Sequence, residues 1–436
     1  MNVSTWFKSE TWDLSLDAWI LVSAIAVAST LLFVGASASA AAAVLIVATP
    51  IVLLCIRRHR LQLEPAGLTT IVASGCWLYA CISYAWAADS GFAIRALLIS
   101  GVAVVAVHVS RSVHSAMPED WLEHMTRTIL VVFVLFAIYG LIEEGFDHPI
   151  KRLVFWPFQA FQIVDGWPTW NWEHVSRVRA TRTNWNVANL SLLLWPVLLM
   201  LRTHVNATDR RWMLPALIAL TLTMALFSNH QTSMIALALG IIIFCLAQYS
   251  IKAAALVAAA GWCLAITLMV PATQWAFQRQ LHLETSLPFS LRHRVVIWGY
   301  TADQITKKPV FGVGVASTES LDDARPNAER FREVDGTVFH ARTGGHPHNF
   351  YLQVLYEFGA IGGACFLALG LAIVWCASRL PNPDASHNLA AFVTAAVMSA
   401  STFGLFELWY VSVLAVTAVL LSLAAAFARR IPIKTV

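Results

Sequence analysis

Long runs without charge alternate with short polar connections along the whole chain. Apolar stretches of spanning length fall at residues 18–35, 37–56, 67–86, 92–110, 128–143, 186–201, 213–227, 231–248, 251–271, 350–376, 388–405 and 408–427. A helix rises about 1.5 Å per residue, so roughly 20 apolar residues cross a hydrocarbon core about 30 Å thick. Strands of a membrane barrel would instead alternate apolar and polar positions over about 10 residues, and these runs do not alternate. The expected fold class is therefore an all-α integral membrane protein with about 12 transmembrane helices. The expected organisation is residues 1–271 as helices one to nine with an external loop at about 144–185, residues 272–349 as a large external loop, and residues 350–436 as helices ten to twelve.

Composition removes the other classes. The 436 residues are 58% hydrophobic and 12% charged, where a soluble domain carries about 25% charge. That excludes a soluble enzyme and a disordered or fibrous chain. A net charge of +4 is too small to argue for a nucleic-acid partner. All seven cysteines lie in or beside apolar runs, so neither a disulfide nor a cysteine-based metal site is expected. The first apolar run leads directly into the second and reads as an uncleaved span, not a signal peptide.

The placement of the basic residues sets the orientation. Arg57, Arg58 and Arg60, then Arg111 and Arg127, then Arg202, Arg210 and Arg211, then Lys252, Arg379 and finally Arg429, Arg430 and Lys434 all fall on one side under a twelve-span count. Short loops rich in Lys and Arg stay in the cytoplasm. Both termini are therefore expected there, and the two long loops face the periplasm or exterior.

The first long loop mixes Lys151, Arg152, Trp156, Trp167, Trp170 and Trp172, a composition suited to the headgroup layer. It ends in Arg177, Arg179 and Arg182, of which Arg179 and Arg182 share a face if helical. Arginines on the external side run against the charge bias and need an anion. Glu143, Glu144, Glu173, a lipid phosphate or an anionic substrate would each serve.

In the second loop nine Lys or Arg are offset by eight acids, so most of that charge reads as solvated surface. Two stretches stand apart. Arg294 and Trp298 are four apart and share a helix face, whereas Arg292 points elsewhere. Gly312 and Gly314 mark a tight turn, without the strand and third glycine of a dinucleotide site. The other stretch is Gly344-Gly345-His346-Pro347-His348-Asn349, just before the tenth span. Pro347 suits a first helical position, which would put His348 in the first turn, at the positive end of the dipole. There the imidazole would be neutral and able to act as a general base. The competing readings are a zinc site at His340, His346 and His348, which lacks a carboxylate or Cys at a supporting spacing, and a purely structural His348. Glu357 lies nine residues further on, about 13.5 Å along a helix, and is expected to support or pack instead of touching His348.

The sequence from His348-Asn349 through nine residues to Gly359-Ala360-Ile361-Gly362 resembles the His-(Asn/Ser/Gln)-x9-Gly-x-x-(Gly/Thr/Tyr) pattern of the O-antigen ligase family. Arg294, Trp298, Pro309, Gly312 and Gly314 resemble the segment upstream of it in the same superfamily. The resemblance implies a GT-C-type inverting glycosyltransferase that uses neither metal nor other cofactor. It implies transfer of a glycan from undecaprenyl diphosphate to a sugar hydroxyl of lipid A–core oligosaccharide, at the periplasmic face of a bacterial inner membrane. By motif His348 takes the catalytic histidine position, Arg294 that of the loop arginine with Arg292 as its near alternative, and Arg179 or Arg182 that of the arginine before the sixth span. Arg182, Arg292, His346, Asn349 and Trp298 complete the expected substrate contacts. One departure is visible: relatives often carry a Ser-Arg-Gly-like step at the eighth span, and here the residues are Ser228-Asn229-His230-Gln231.

O-antigen polymerases and protein O-oligosaccharyltransferases share the superfamily and differ in acceptor. Outside it, a twelve-helix lipid-linked sugar transporter would carry ionisable groups at mid-depth and broken helices there. Arg95, Glu357 and Glu407 instead lie nearer the ends of their expected spans.

Overall fold

In the computed structural model, residues 15–34, 36–146, 149, 161–164, 167–170, 172–228, 230–323, 330–332, 338–340, 343 and 345–430 are described. For residues 33–37, 161–184, 323, 330–332 and 338–340 the description covers backbone alone. A helix stands at each expected span: α1 Leu16–Val34, α2 Ala36–Ile56, α3 Leu68–Ser83, α4 Ser90–Ala116, α5 Glu119–Gly145, α6 Trp172–His204, α7 Ala207–Phe227, α8 Gln231–Tyr249, α9 Ile251–Gln278, α12 Phe350–Ser378, α13 Asp384–Ser399 and α14 Leu408–Arg430. Among the described residues ten helices are long and apolar enough to cross a membrane, and the chain is a multi-pass, all-α integral membrane protein. By that criterion α1 is a shorter apolar helix, and α13 has only 16 residues.

The two long connections are partly structured. The first holds an antiparallel hairpin of β1 Phe161–Val164 and β2 Trp167–Trp170, after which α6 begins at Trp172. In the second, α9 continues to Gln278. The chain then passes through α10 Phe289–Lys307, α11 Thr318–Asp323 and a hairpin of β3 Arg330–Arg332 with β4 Val338–His340.

The C-terminal part of α6 is the axis of the bundle. From Val187 to Leu201 its apolar side chains are at most 5% exposed, and it packs on α5, α13 and α14. By contrast, α3, α4 and α9 present Ile71, Leu98, Val102 and Leu256 outward. A helix that is apolar all round needs lipid on the side that protein does not cover.

The expected eleventh span, 388–405, is corrected in part. Its helix stops at Ser399, and residues 400–407 form successive turns before α14. Phe403, Leu405 and Phe406 keep this stretch apolar, but Ser401, Thr402 and Gly404 supply the hydroxyls and the flexibility that favour turns over helix.

A second break lies inside α12. Gly359 has φ 61°, in the left-handed region, and interrupts the helix. The turn segment 309–314 fills the gap: the Val313 and Gly314 N–H groups donate to Tyr356 O and Glu357 O at 3.0 and 2.8 Å, and Ala360 N–H donates to Pro309 O at 2.8 Å. A Cβ on Gly359 would sit 2.3 Å from Val310 O, and one on Gly312 would sit 2.4 Å from Glu357 O. Both glycines of the motif are therefore required by backbone-to-backbone approach.

The basic residues collect at one end. Arg57 pairs with Asp17, Arg111 with Glu64 at 3.3 Å, and Arg430 reaches the Met117 and Ser115 carbonyls. The charges of Arg202 and Arg429 both act on Asp384. The start of α8, the start of α12 and the 400–407 turns lie at the other end of these same helices.

Gly359→Ala should lower stability by more than the roughly 1–2 kcal/mol of a left-handed L-residue, because the methyl also strikes Val310 O. A fall of several degrees in Tm, read on detergent-solubilised protein, is the expected result.

Candidate functional site

The site is built on the turn before α12. Asn349, not Pro347, begins the helix: its Oδ1 accepts the Leu352 N–H at 3.0 Å, with the extended backbone of an N-cap (φ −158°, ψ 111°). Asn caps a helix well, so it fixes the start at Phe350 and leaves Pro347 and His348 outside. This corrects the expectation that His348 lies in the first turn. The remaining Asn349 amide group donates to Ala400 O at 2.7 Å. Asn349, expected as a substrate contact, is fully buried with its polar atoms committed to the fold.

His348 adopts φ 52°, a conformation costing an L-residue about 1–2 kcal/mol. Three neighbours hold it there. Trp298 Nε1 donates to Pro347 O at 2.8 Å, Asn349 ties the following residue to α13, and His348 Nδ1 lies 3.0 Å from Thr402 O. A carbonyl can only accept, so Nδ1 carries the proton and Nε2 keeps its lone pair. Trp298, expected to touch substrate, positions this turn with its indole N–H.

Burial is the main reason the His348 imidazole titrates below its ordinary range, reinforced by His346 and Arg294 and opposed by the Thr402 carbonyl and Glu407. Solvent exclusion, not a helix dipole, is therefore what favours the neutral imidazole. His346 stands edge-on to His348, ring centroids 4.2 Å apart, and burial brings it down to about 4. Its Nε2 lies 3.0 Å from Glu407 Oε1 but off the line of a hydrogen bond. Glu407 in turn is pushed up by burial while accepting from Gly404 N–H and Trp409 Nε1. Burial thus disfavours the charged form of both partners in this contact.

Arg294 is half-buried. Desolvation draws it below its usual value, yet a guanidinium stays charged. Among the described residues no carboxylate lies within ion-pair distance of it. Its charge acts on both His348 and His230. Arg292, two residues earlier, is only 6% exposed and has an interaction of its own. Of the two, Arg294 is the one whose charge acts on His348 and His230. Arg179 and Arg182 belong to the backbone of α6, and their side chains lie outside the described residues.

The 400–407 turns tie these parts together. Thr232 Oγ1 lies 2.9 Å from Ser401 Oγ, the Phe403 ring packs on His230, and Leu405 N–H donates to Gln353 Oε1 at 2.7 Å. Gln353 donates to Glu357, which also accepts from Ala316 N–H and Thr318 Oγ1. Glu357 is therefore a brace between the inserted segment and the turn, as its distance from His348 suggested. Sequence reasoning missed Glu407 and His230. The signal for Glu407 was a lone acid between Phe406 and Leu408, and for His230 a lone His opening a span.

A cavity of about 600 Å³ adjoins this cluster, with Phe92, Arg95, Trp185, His346, Gln353 and Trp409 in its wall. Trp185 and Trp409 pack against each other in that wall, ring centroids 5.5 Å apart. Among the described residues no group of three or more His, Cys, Asp or Glu is placed to hold a metal ion.

Residues 216–367 match the O-antigen ligase family model. The resemblance read from the motif therefore holds over this segment, which contains His230, Arg294, Trp298, His348 and the break at Gly359. Three proteins provisionally named polysaccharide ligase are similar over a comparable length: 28% identity over 124 residues in Rickettsia conorii, 29% over 127 in Rickettsia felis and 28% over 126 in Rickettsia typhi. Each alignment covers 28% of this chain and 29 or 30% of the relative, so the chain spans under a third of the length of the curated relatives it matches.

Histidine nitrogen shifts of labelled protein in nanodiscs should show His230 and His346 neutral at pH 5.5, where an ordinary imidazole is mostly protonated. Protonation of either should appear only on approach to about pH 4.

Proposed function

We propose that the chain is an O-antigen ligase that moves a glycan from undecaprenyl diphosphate to a sugar hydroxyl of lipid A–core oligosaccharide. The observation that carries this reading is the pairing of His348, neutral with a free Nε2 lone pair, with Arg294, a cation without a carboxylate partner. The match of residues 216–367 to O-antigen ligases supports it. The location at the end opposite the basic connections supports a periplasmic site in the inner membrane with both termini cytoplasmic.

The donor sugar leaves with a diphosphate, so the chemistry has three tasks. His348 Nε2 removes the proton from the acceptor hydroxyl. That oxygen attacks the anomeric carbon from the face opposite the leaving oxygen, which inverts the centre as the carbon–oxygen bond to phosphate breaks. The electron pair passes to the polyprenyl diphosphate, whose growing charge Arg294 balances with a planar fork suited to phosphate oxygens. Arg179 or Arg182 would add a second guanidinium from α6. Preorganised charge at a leaving group is worth several kcal/mol of barrier, and a placed base about 10²–10⁴-fold in rate. This scheme calls on no metal.

Reconstitution with purified lipid-linked glycan and core lipid tests the reading. Transfer should proceed in excess chelator. His348→Ala should lose about 10²–10⁴-fold in rate while still binding donor, and Arg294→Lys should be impaired because a point charge does not replace the fork. Normal laddering of core lipid by His348→Ala would reject the base.

Because the His348 pKa is lowered, the base stays unprotonated further into acid than a free imidazole. The acid limb of the rate profile should therefore have its midpoint below the ordinary value of about 6.5, with activity falling as pH drops through it.

A further inference from the structure

His230 is unexplained by packing alone. It precedes α8 but makes no side-chain cap bond to that helix. Its Nδ1 is committed to Ser233 Oγ at 2.6 Å, and its ring lies against Phe403. It is only 6% exposed, and its Nε2 is buried with no hydrogen-bond partner. An orphaned buried polar atom costs about 1–3 kcal/mol. Packing would be served as well by an aromatic hydrocarbon and capping better by Ser or Asn.

The surroundings indicate what completes it. The Arg294 charge reaches His230, and Arg294 itself has no carboxylate partner among the described residues. The N-terminus of α8, a helix of 19 residues, adds its own positive end. The Ser233 hydroxyl can give or take a proton at Nδ1, so it permits the tautomer with hydrogen on Nε2. An N–H placed with a cation and a helix N-terminus is satisfied by an oxyanion.

We infer that His230 is a substrate-binding residue whose Nε2–H, within reach of the Arg294 charge, donates to a phosphoryl oxygen of the donor diphosphate. The inference rests on the transferase reading above and adds a neutral donor to its guanidinium groups. A neutral N–H marks the position of one oxygen without adding the hydration cost of another buried charge.

The test uses the full chain in nanodiscs, with geranylgeranyl diphosphate as binding probe, geranylgeraniol as uncharged control, and transfer kinetics with both natural lipids. His230→Phe should weaken diphosphate binding roughly ten- to a hundredfold, the effect of losing a hydrogen bond to a charged group. Donor KM should rise while acceptor KM stays unchanged, and His230→Gln, which restores an N–H, should recover most of the loss. Unchanged diphosphate binding by folded His230→Phe overturns the inference, as does an effect confined to acceptor KM, which would assign the contact to a phosphate of the acceptor. If His230→Phe does not fold, the unmutated protein decides. Its His230 nitrogen signals should move to the Nε2–H tautomer with the diphosphate and not with the alcohol, and no movement overturns the inference. If wild-type protein neither binds the diphosphate nor transfers glycan, the transferase reading itself fails, a result separate from any His230 effect.

Discussion

The contact between His348 Nδ1 and the Thr402 carbonyl ties the site to the membrane fold. At 3.0 Å it fixes the tautomer, aims the lone pair and fastens the residue before α12 to the turn after α13. One hydrogen bond of this kind contributes only about 0.5–1.5 kcal/mol, too little to hold a left-handed His alone. It works because Asn349 bonds the same region through Ala400 O and Trp298 holds the preceding carbonyl. Helices α10, α12 and α13 thus meet at three consecutive residues, and the strain at His348 is over-determined by its surroundings.

The same turn explains why α13 had to end early. A continued helix would direct the Thr402 carbonyl forward along its own axis, toward the N–H four residues on. Released from the helix, the 400–407 segment offers Ala400 O and Thr402 O to the histidine turn, Ser401 to α8 and Leu405 N–H to Gln353. Glu357 then carries the connection onward to the segment inserted at the α12 break. The glycine motif and the histidine motif are parts of one scaffold. Gly312 and Gly359 let backbone enter α12 beside Glu357, and Glu357 braces the turn that orients His348.

Much of this was legible in the sequence, and the failures share one cause. Spanning runs showed where each long helix lies because apolar length is a local property. The turn at Gly312 and Gly314 was local as well, and so was the separation of Arg292 from Arg294 by helical angle. By contrast, the α12 start depended on Asn349 outcompeting Pro347 for the cap, and the end of α13 was hidden by Phe403, Leu405 and Phe406. Glu407 and His230 reach the site from positions 59 residues after and 118 residues before His348. Which helix faces which is decided by packing between elements, and one chain's spacing does not encode it.

The electrostatics around His348 have a consequence for the order of events. Burial does most to hold the imidazole's affinity for protons down, with His346 and Arg294 adding to it, while the Thr402 carbonyl and Glu407 raise it. Burial, His346 and Arg294 together favour the neutral base. On the proposed reading, a diphosphate seated on Arg294 offsets the positive charge that helps oppose protonation. The base then becomes stronger when the donor is in place, and an acceptor hydroxyl arriving at an empty site meets a weaker one. Charge compensation alone would thus couple donor binding to proton removal without any movement of the helices, and would disfavour deprotonation when no sugar is available to receive the attack.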